Sequence, residues 1–171
     1  MPQLAITVLG HDRPGIIAAV TSALAEHGGN IEDSSMTLLR GHFAMTLIVS
    51  TEASSSEIER VLVERLPVDL LVAVRAVPPE LDSGPVGDAY VVTVHGGDRA
   101  GIVAGVTQVL ADVGGNITDL TTRLTGSLYV VVAEVELPSS VDVPALSDAL
   151  TARAHELGVE ATLRPAETDV L

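Results

Sequence analysis

The 171-residue chain is 47% hydrophobic and 19% charged, a balance that supports a packed core and excludes a disordered polar tract. Nine arginines, no lysine and 23 acidic residues give a formal net charge of -14; direct nucleic-acid binding is excluded as an expectation, because phosphate neutralisation needs clustered cations. The absence of cysteine removes disulfides, thiolate metal sites and cysteine nucleophiles together.

Met1 to Leu9 has no basic leader segment, and no apolar run approaches membrane-spanning length, so a cytoplasmic location and no membrane partner are expected. The aromatics are only Phe43, Tyr90 and Tyr129, which leaves aliphatic side chains to fill the cores.

The chain reads as one sequence written twice. Asp12 to Asp33 returns as Asp98 to Asp119 at an offset of 86, with 14 of 22 positions identical, and a fixed offset identifies the building unit. After Leu38 and Leu124 the offset is expected to fall to 85, setting Gly41 against Gly126. The expected domains are 1–79 and 88–165, with a Pro- and Gly-rich linker at 80–87 and a tail at 166–171.

The elements follow in chain order. Leu4, Ile6 and Val8 alternate with Ala5 and Thr7, which predicts a half-buried strand, as do Tyr90, Val92 and Val94 in the second copy. Next comes a turn, Gly10-His-Asp-Arg-Pro-Gly-Ile16, in which Asp12 is expected to cap the helix and Pro14 to occupy its first turn. The helix itself shows a stripe of Ile16, Val20 and Leu24, matched by Ile102, Val106 and Leu110. Gly28-Gly29 and Gly114-Gly115 mark its end, where a left-handed backbone favours glycine.

A hairpin is predicted from strands Asn30 to Arg40 and His42 to Ser50, the second alternating Phe43, Met45, Leu47 and Val49. Ser54 and Glu57 have capping-box spacing ahead of Ile58, Val61, Leu62 and Leu66. A strand from about Asp69 to Val77 closes the unit; its counterparts are a helix opened by Asp142 and Pro144 and a strand from Val159 to Arg164. The order βαββαβ implies an α+β fold: two ferredoxin-like domains, each a four-stranded antiparallel sheet with both helices on one face.

The duplicated turn carries the chemistry. A helix start offers free N–H groups and partial positive charge to a carboxylate, and Gly15 lets a ligand approach closely. Asp12 or Asn30 would complement an ammonium group, so that one zwitterion is held at both ends. The five histidines form no standard metal-ligand spacing, and neither a dinucleotide fingerprint nor a phosphate-binding lysine loop is present.

The run G-x-D-R-P-G-I, an alanine-rich helix and G-G-N-I entering a strand resembles the ACT domain, and the duplicated form resembles the glycine cleavage system transcriptional repressor family. The resemblance implies amino-acid binding at a domain interface through Asp12, Gly15, Ile16 and Asn30, with Asp98, Gly101, Ile102 and Asn116. Ala100 stands where the first copy has Pro14, which makes the second turn less stiff. The expectation is a non-catalytic regulator without cofactor or metal, binding a small amino acid of the glycine or serine class. Its expected partners are a second copy in a homodimer and a DNA-binding regulator or an enzyme. The alternatives are a ligand-free interaction module and the detached regulatory subunit of an amino-acid enzyme.

Overall fold

The structure is a computed structural model that describes residues 1–78 and 87–166. The chain divides into two compact units, Met1–Leu81 and Asp82–Leu171. Most of the expected linker and tail lies outside the described residues.

Unit 1 runs β1 (Gln3–His11), α1 (Ile16–Glu26), β2 (Asn30–Leu39), β3 (His42–Ser50), α2 (Ser55–Arg65) and β4 (Leu71–Val77). Unit 2 repeats the order as β5 (Asp88–Gly97), α3 (Ile102–Asp112), β6 (Asn116–Thr125), β7 (Leu128–Leu137), α4 (Val143–Glu156) and β8 (Val159–Pro165). The sheets are ordered β2-β3-β1-β4 and β6-β7-β5-β8, with every pairing antiparallel. Two α+β units of ferredoxin-like topology result, as the periodicities predicted.

One face of each sheet is packed by its helices. In unit 1, Leu4, Ile6 and Val8 of β1 and Phe43, Met45, Leu47 and Val49 of β3 are buried with Val20, Leu24, Ile58 and Leu62 of the helices. In unit 2 the same role falls to Val92, Val94, Val131, Ala133, Val106, Leu110, Leu146 and Leu150. Burial on alternate strand residues is what a sheet covered on one side requires.

The helix ends have local causes. At α1 the Gly28 N–H donates to the Ala25 carbonyl and the Gly29 N–H to the Leu24 carbonyl, and Gly28 adopts φ 66. This is the Schellman pattern, which satisfies two orphan carbonyls and needs a residue tolerant of the left-handed region. Gly114 and Gly115 repeat it on α3. The Ser54 hydroxyl accepts from the Glu57 N–H and the Asp142 carboxylate from the Ala145 N–H, so both later helices are capped as expected.

Two expectations are corrected. The repeat keeps its offset of 86 through the hairpin: Leu39 pairs with His42, and Thr125 pairs with Leu128. Both turns have two residues, so no deletion exists. The glycine has instead changed place within the turn. Arg40 and Gly41 both have positive φ, whereas in the second turn Gly126 alone does. These correspond to the two mirror-image turn types that suit strand twist, one needing two left-handed residues and the other a glycine first.

The second correction concerns Asp12. The N-cap of α1 is Gly15, at φ 94 and ψ -7, and no side chain caps the helix. Gly101 takes the same position on α3 at φ 92 and ψ -2. Neither Asp12 nor Asp98 is a helix cap, because the left-handed glycine turns the chain after the aspartate and delays the helix by three residues.

Candidate functional site

The turn from β1 to α1 is held from three sides. The Asp12 N–H donates to the Gly41 carbonyl at 3.0 Å, which fastens the turn to the tip of the β2–β3 hairpin. Arg13 reaches Asp69 ahead of β4, with Nη2 to Oδ2 at 2.5 Å. Gly10 packs so closely that a Cβ there would lie 2.4 Å from Leu70 Cδ2. The Arg13–Asp69 pair is 43% exposed on both sides, so its contribution is at most about 1 kcal/mol; its use is to fix the turn against β4.

This leaves the start of α1 open. The first intrahelical bond of the turn is from the Ala19 N–H to the Gly15 carbonyl. The N–H groups of Ile16, Ile17 and Ala18 are the first-turn donors of an α-helix, which have no intrahelical acceptor. With no side-chain cap present, they have neither a helix carbonyl nor a capping side chain to donate to. They face an open depression of about 560 Å³ lined by Asp12, Gly15 and Ile17, with Met36 and Phe43 among its other walls. The helix dipole adds partial positive charge at the same end, while the Asp12 carboxylate supplies the opposite sign beside it. A carboxylate on the amides and an ammonium near Asp12 is the chemistry such an arrangement supports.

The candidate residues fall into three groups. Asp12 and Gly15 line the depression. Ile16 also lines it, but its side chain is 3% exposed and belongs to the core, so its contribution to a ligand is its N–H; Ile102 is buried likewise. Asn30 is elsewhere. Asn30 pairs with Ser50 and Ser50 with Gln3, whereas His11, next to Asp12, pairs with His42. Asn30 and Asp12 therefore stand at opposite ends of a nine-residue strand, roughly 27 Å apart at the rise of an extended chain. Asn116 and Asp98 are separated the same way across β5 and β7. Within one unit the sheet therefore does not bring Asn30 to the turn that carries Asp12.

The second turn differs from the first in detail. Gly101 again leaves the helix uncapped, but the adjoining depression is lined by Gly101, Ala104, Gly105 and Arg153 and lies along the helix flank, without Asp98. Arg99 lies against Gly158, where a Cβ would meet its Nη1 at 2.5 Å. Arg13 and Arg99 thus both reach the segment ahead of the last strand of their unit. Sequence reasoning gave these arginines no role, although the Asp-Arg pair recurs in both copies; the partner lies more than fifty residues away and has no local signature. Among the described residues no cluster of three or more His, Asp or Glu side chains is placed to hold a metal ion. His11 and His42 stack at 4.9 Å between ring centroids, a pair that unit 2 replaces with Gly97 and Leu128.

Comparison with known proteins follows the same division. The model of a family described as the ACT domain matches residues 2–69 and 89–164. A UPF0237 protein of Methanopyrus kandleri is 41% identical over 78 residues, 42% of this chain and 87% of that protein. A second, from Methanococcus maripaludis, is 40% identical over 57 residues, covering 33% of this chain and 63% of its own length. A solved protein of unknown function from Galdieria sulphuraria superposes with a TM-score of 0.80 at 31% identity, covering 96% of this chain and 98% of its own. A structure described as a glycine cleavage system transcriptional repressor shares the fold, with a TM-score of 0.66 at 22% identity and coverage of 95% and 96%.

Proposed function

The chain belongs to the ACT-domain family, matched over both of its units, and from that premise we propose that it is a non-catalytic regulatory protein that binds a small amino acid of the glycine or serine class. The observation that carries the reading is the uncapped start of α1: free amides behind a left-handed Gly15, beside Asp12, at the mouth of an open depression. The amides of Ile16 to Ala18 take the ligand carboxylate and Asp12 faces its ammonium group. Gly101 and Asp98 provide the corresponding turn in unit 2.

Asn30 and Asn116 enter this proposal only through another module. Each begins an edge strand, β2 or β6, whose outer N–H and C=O groups are free to pair. Antiparallel pairing of two such edges sets the Asn end of one module beside the turn end of the other, which completes a site that a single sheet holds apart. A homodimer supplies this arrangement. Binding then biases the dimer, and a DNA-binding regulator or an enzyme reads the bias, since a ligand shifts an equilibrium only by its differential affinity for the two states. A role in transcription of amino-acid metabolism genes is drawn from the repressor-like fold; the net charge of -14 makes contact with DNA the partner's task.

A second reading has an observation of its own. The flank depression of unit 2 excludes Asp98, which favours a ligand-free interaction role for that unit, or for the whole chain as the detached regulatory subunit of an amino-acid enzyme.

Isothermal titration of the full chain with a panel of amino acids separates these. The sensor reading expects glycine or serine to bind, and Asp12→Ala to weaken binding at least tenfold with a melting temperature within about 2 °C of wild type. No heat of binding from any amino acid at millimolar concentration overturns it.

A further inference from the structure

The face of the unit 1 sheet turned away from its helices is unusual for a surface open to water. Residues paired across neighbouring strands share a face, so the register defines its rows. One row is Thr37, Ala44, Leu9 and Leu71; the next is Ser35, Thr46, Thr7 and Ala73. The third is Asp33, Ile48, Ala5 and Arg75. Across these three rows only Asp33 and Arg75 are charged, in a chain of net charge -14. A solvated antiparallel face normally alternates to polar side chains. Here β1 and β3 present alanine, threonine, leucine and isoleucine, and Leu9 and Leu71 are 42% and 55% exposed side by side.

The two charges stand at opposite edges of one row, Asp33 on β2 and Arg75 on β4. Three strand spacings separate them, about 14 Å, too far for an ion pair within the sheet. Neither forms a salt bridge to another described side chain: the pairs present are those of Arg13, Arg60, Arg65, His95 and Arg153. Asp33 Oδ1 accepts only from the adjacent Ser34 N–H, at 2.8 Å.

We propose that this face docks on the same face of a second copy of the chain, about a two-fold axis parallel to the strands, so that Asp33 of each copy meets Arg75 of the other. The charges select the axis. Rotation about the strand direction lays β4 of one sheet over β2 of its mate and brings opposite charges together. Rotation about the perpendicular in-plane axis lays β2 over β2 and sets aspartate near aspartate. Aligned stacking about 10 Å apart is the ordinary geometry for two such sheets. A four-stranded face about six residues long presents roughly 400 Å² in projection, so two copies bury roughly 1,000 Å² of accessible surface, the lower end of specific interfaces. The association is accordingly weak, in the micromolar range. Unit 2 keeps the acid-to-arginine row as Asp119 and Arg164 and an uncharged middle row of Thr121, Val132, Thr93 and Thr162, but Glu134 lies within the first and Arg123, His95 and Glu160 stand in the third, so a face with only one acid and one arginine across three rows is confined to unit 1. This face is distinct from the amino-acid turn and from the hydrogen-bonding edge of β2; Asp33 belongs to β2 but Arg75 to β4 at the opposite edge, so Arg75→Glu leaves the β2 edge unaltered.

Sedimentation velocity of the full chain over a concentration series to about 200 μM tests the proposal. The wild type self-associates, Arg75→Glu and Asp33→Arg each raise the dissociation constant at least tenfold, and the double variant returns to within about threefold of wild type. Both positions are exposed on edge strands, and far-UV circular dichroism at low micromolar concentration verifies the fold of each variant. A chain that stays monomeric throughout, association unmoved by the single reversals, or a double variant no better than the singles overturns it.

Discussion

Replacing Gly15 by alanine isolates a pure backbone effect. An added Cβ meets no atom within 4 Å, so no packing change accompanies it. At φ 94 and ψ -7 an L-residue pays about 1–2 kcal/mol for the left-handed region, and the alanine recovers about 0.4–1 kcal/mol by restricting the unfolded chain. The net expectation is a loss of about 1 kcal/mol. Gly101 has nearly the same dihedrals, φ 92 and ψ -2, and equally open surroundings, so Gly101→Ala should cost the same to within about 0.5 kcal/mol.

The aromatics provide the assay. Tyr90 and Tyr129 both lie in unit 2, while unit 1 holds Phe43 alone, and each unit has its own buried core. Tyrosine fluorescence therefore follows unit 2, and far-UV circular dichroism follows both. In urea, Gly101→Ala should lower the tyrosine midpoint by roughly 0.5–1 M. Gly15→Ala should leave that midpoint in place and lower the remaining dichroism transition by the same amount. Gly10→Ala is the contrasting control: its φ is ordinary, but its Cβ would stand 2.4 Å from Leu70 Cδ2, an overpacking cost of about 1–3 kcal/mol. A Gly15→Ala chain as stable as wild type would refute the left-handed cap. Costs differing by more than about 1 kcal/mol between the twin glycines would refute the equivalence of the two turns.

Further outcomes follow from the helix ends. Ser54→Ala and Asp142→Ala each remove a side-chain acceptor from a first-turn N–H and should each cost about 1 kcal/mol in urea unfolding, the first sparing the tyrosine transition and the second moving it. Glu26, near the end of α1, accepts both guanidinium donors of Arg65 on α2, with Nη1 to Oε1 at 2.9 Å. Those hydrogen bonds hold the Glu26 carboxyl below its ordinary value of 4.5 and raise Arg65. Because the folded value is the lower one, the stabilisation is complete above the unfolded value and disappears as pH falls through the folded value. The melting temperature of Glu26→Gln should therefore lie below wild type at neutral pH and converge with it in acid; a gap that does not narrow as pH falls would contradict the linkage.

Much of the architecture was legible because its causes are local. Strand alternation, the helical stripes, the paired glycines that end α1 and α3, and the caps at Ser54 and Asp142 each depend on residues a few positions apart, and the repeat supplied an independent second reading of every element. The turn was singled out as a candidate site for the same reason. Its internal geometry was not: an aspartate ahead of a helix is a good cap by composition, and only the left-handed Gly15 and Gly101 show that the helix begins later and leaves its amides bare. The hairpin glycines misled by identity alone, since Gly41 and Gly126 occupy different turn positions while the strands stay in register.

Residue types and spacing determined the number of units, the order of their elements, the faces that are buried and the glycines that punctuate them. Strand order and register belonged to the tertiary structure, because pairing partners lie far apart in the chain and periodicity does not name them. That ordering puts β1 between β3 and β4, sends Asp12 and Asn30 to opposite ends of one sheet, brings Arg13 to Asp69, and lines up Asp33 and Arg75 in a single row. Distances of this kind arise from strand spacing and rise, which exist only once the sheet has assembled.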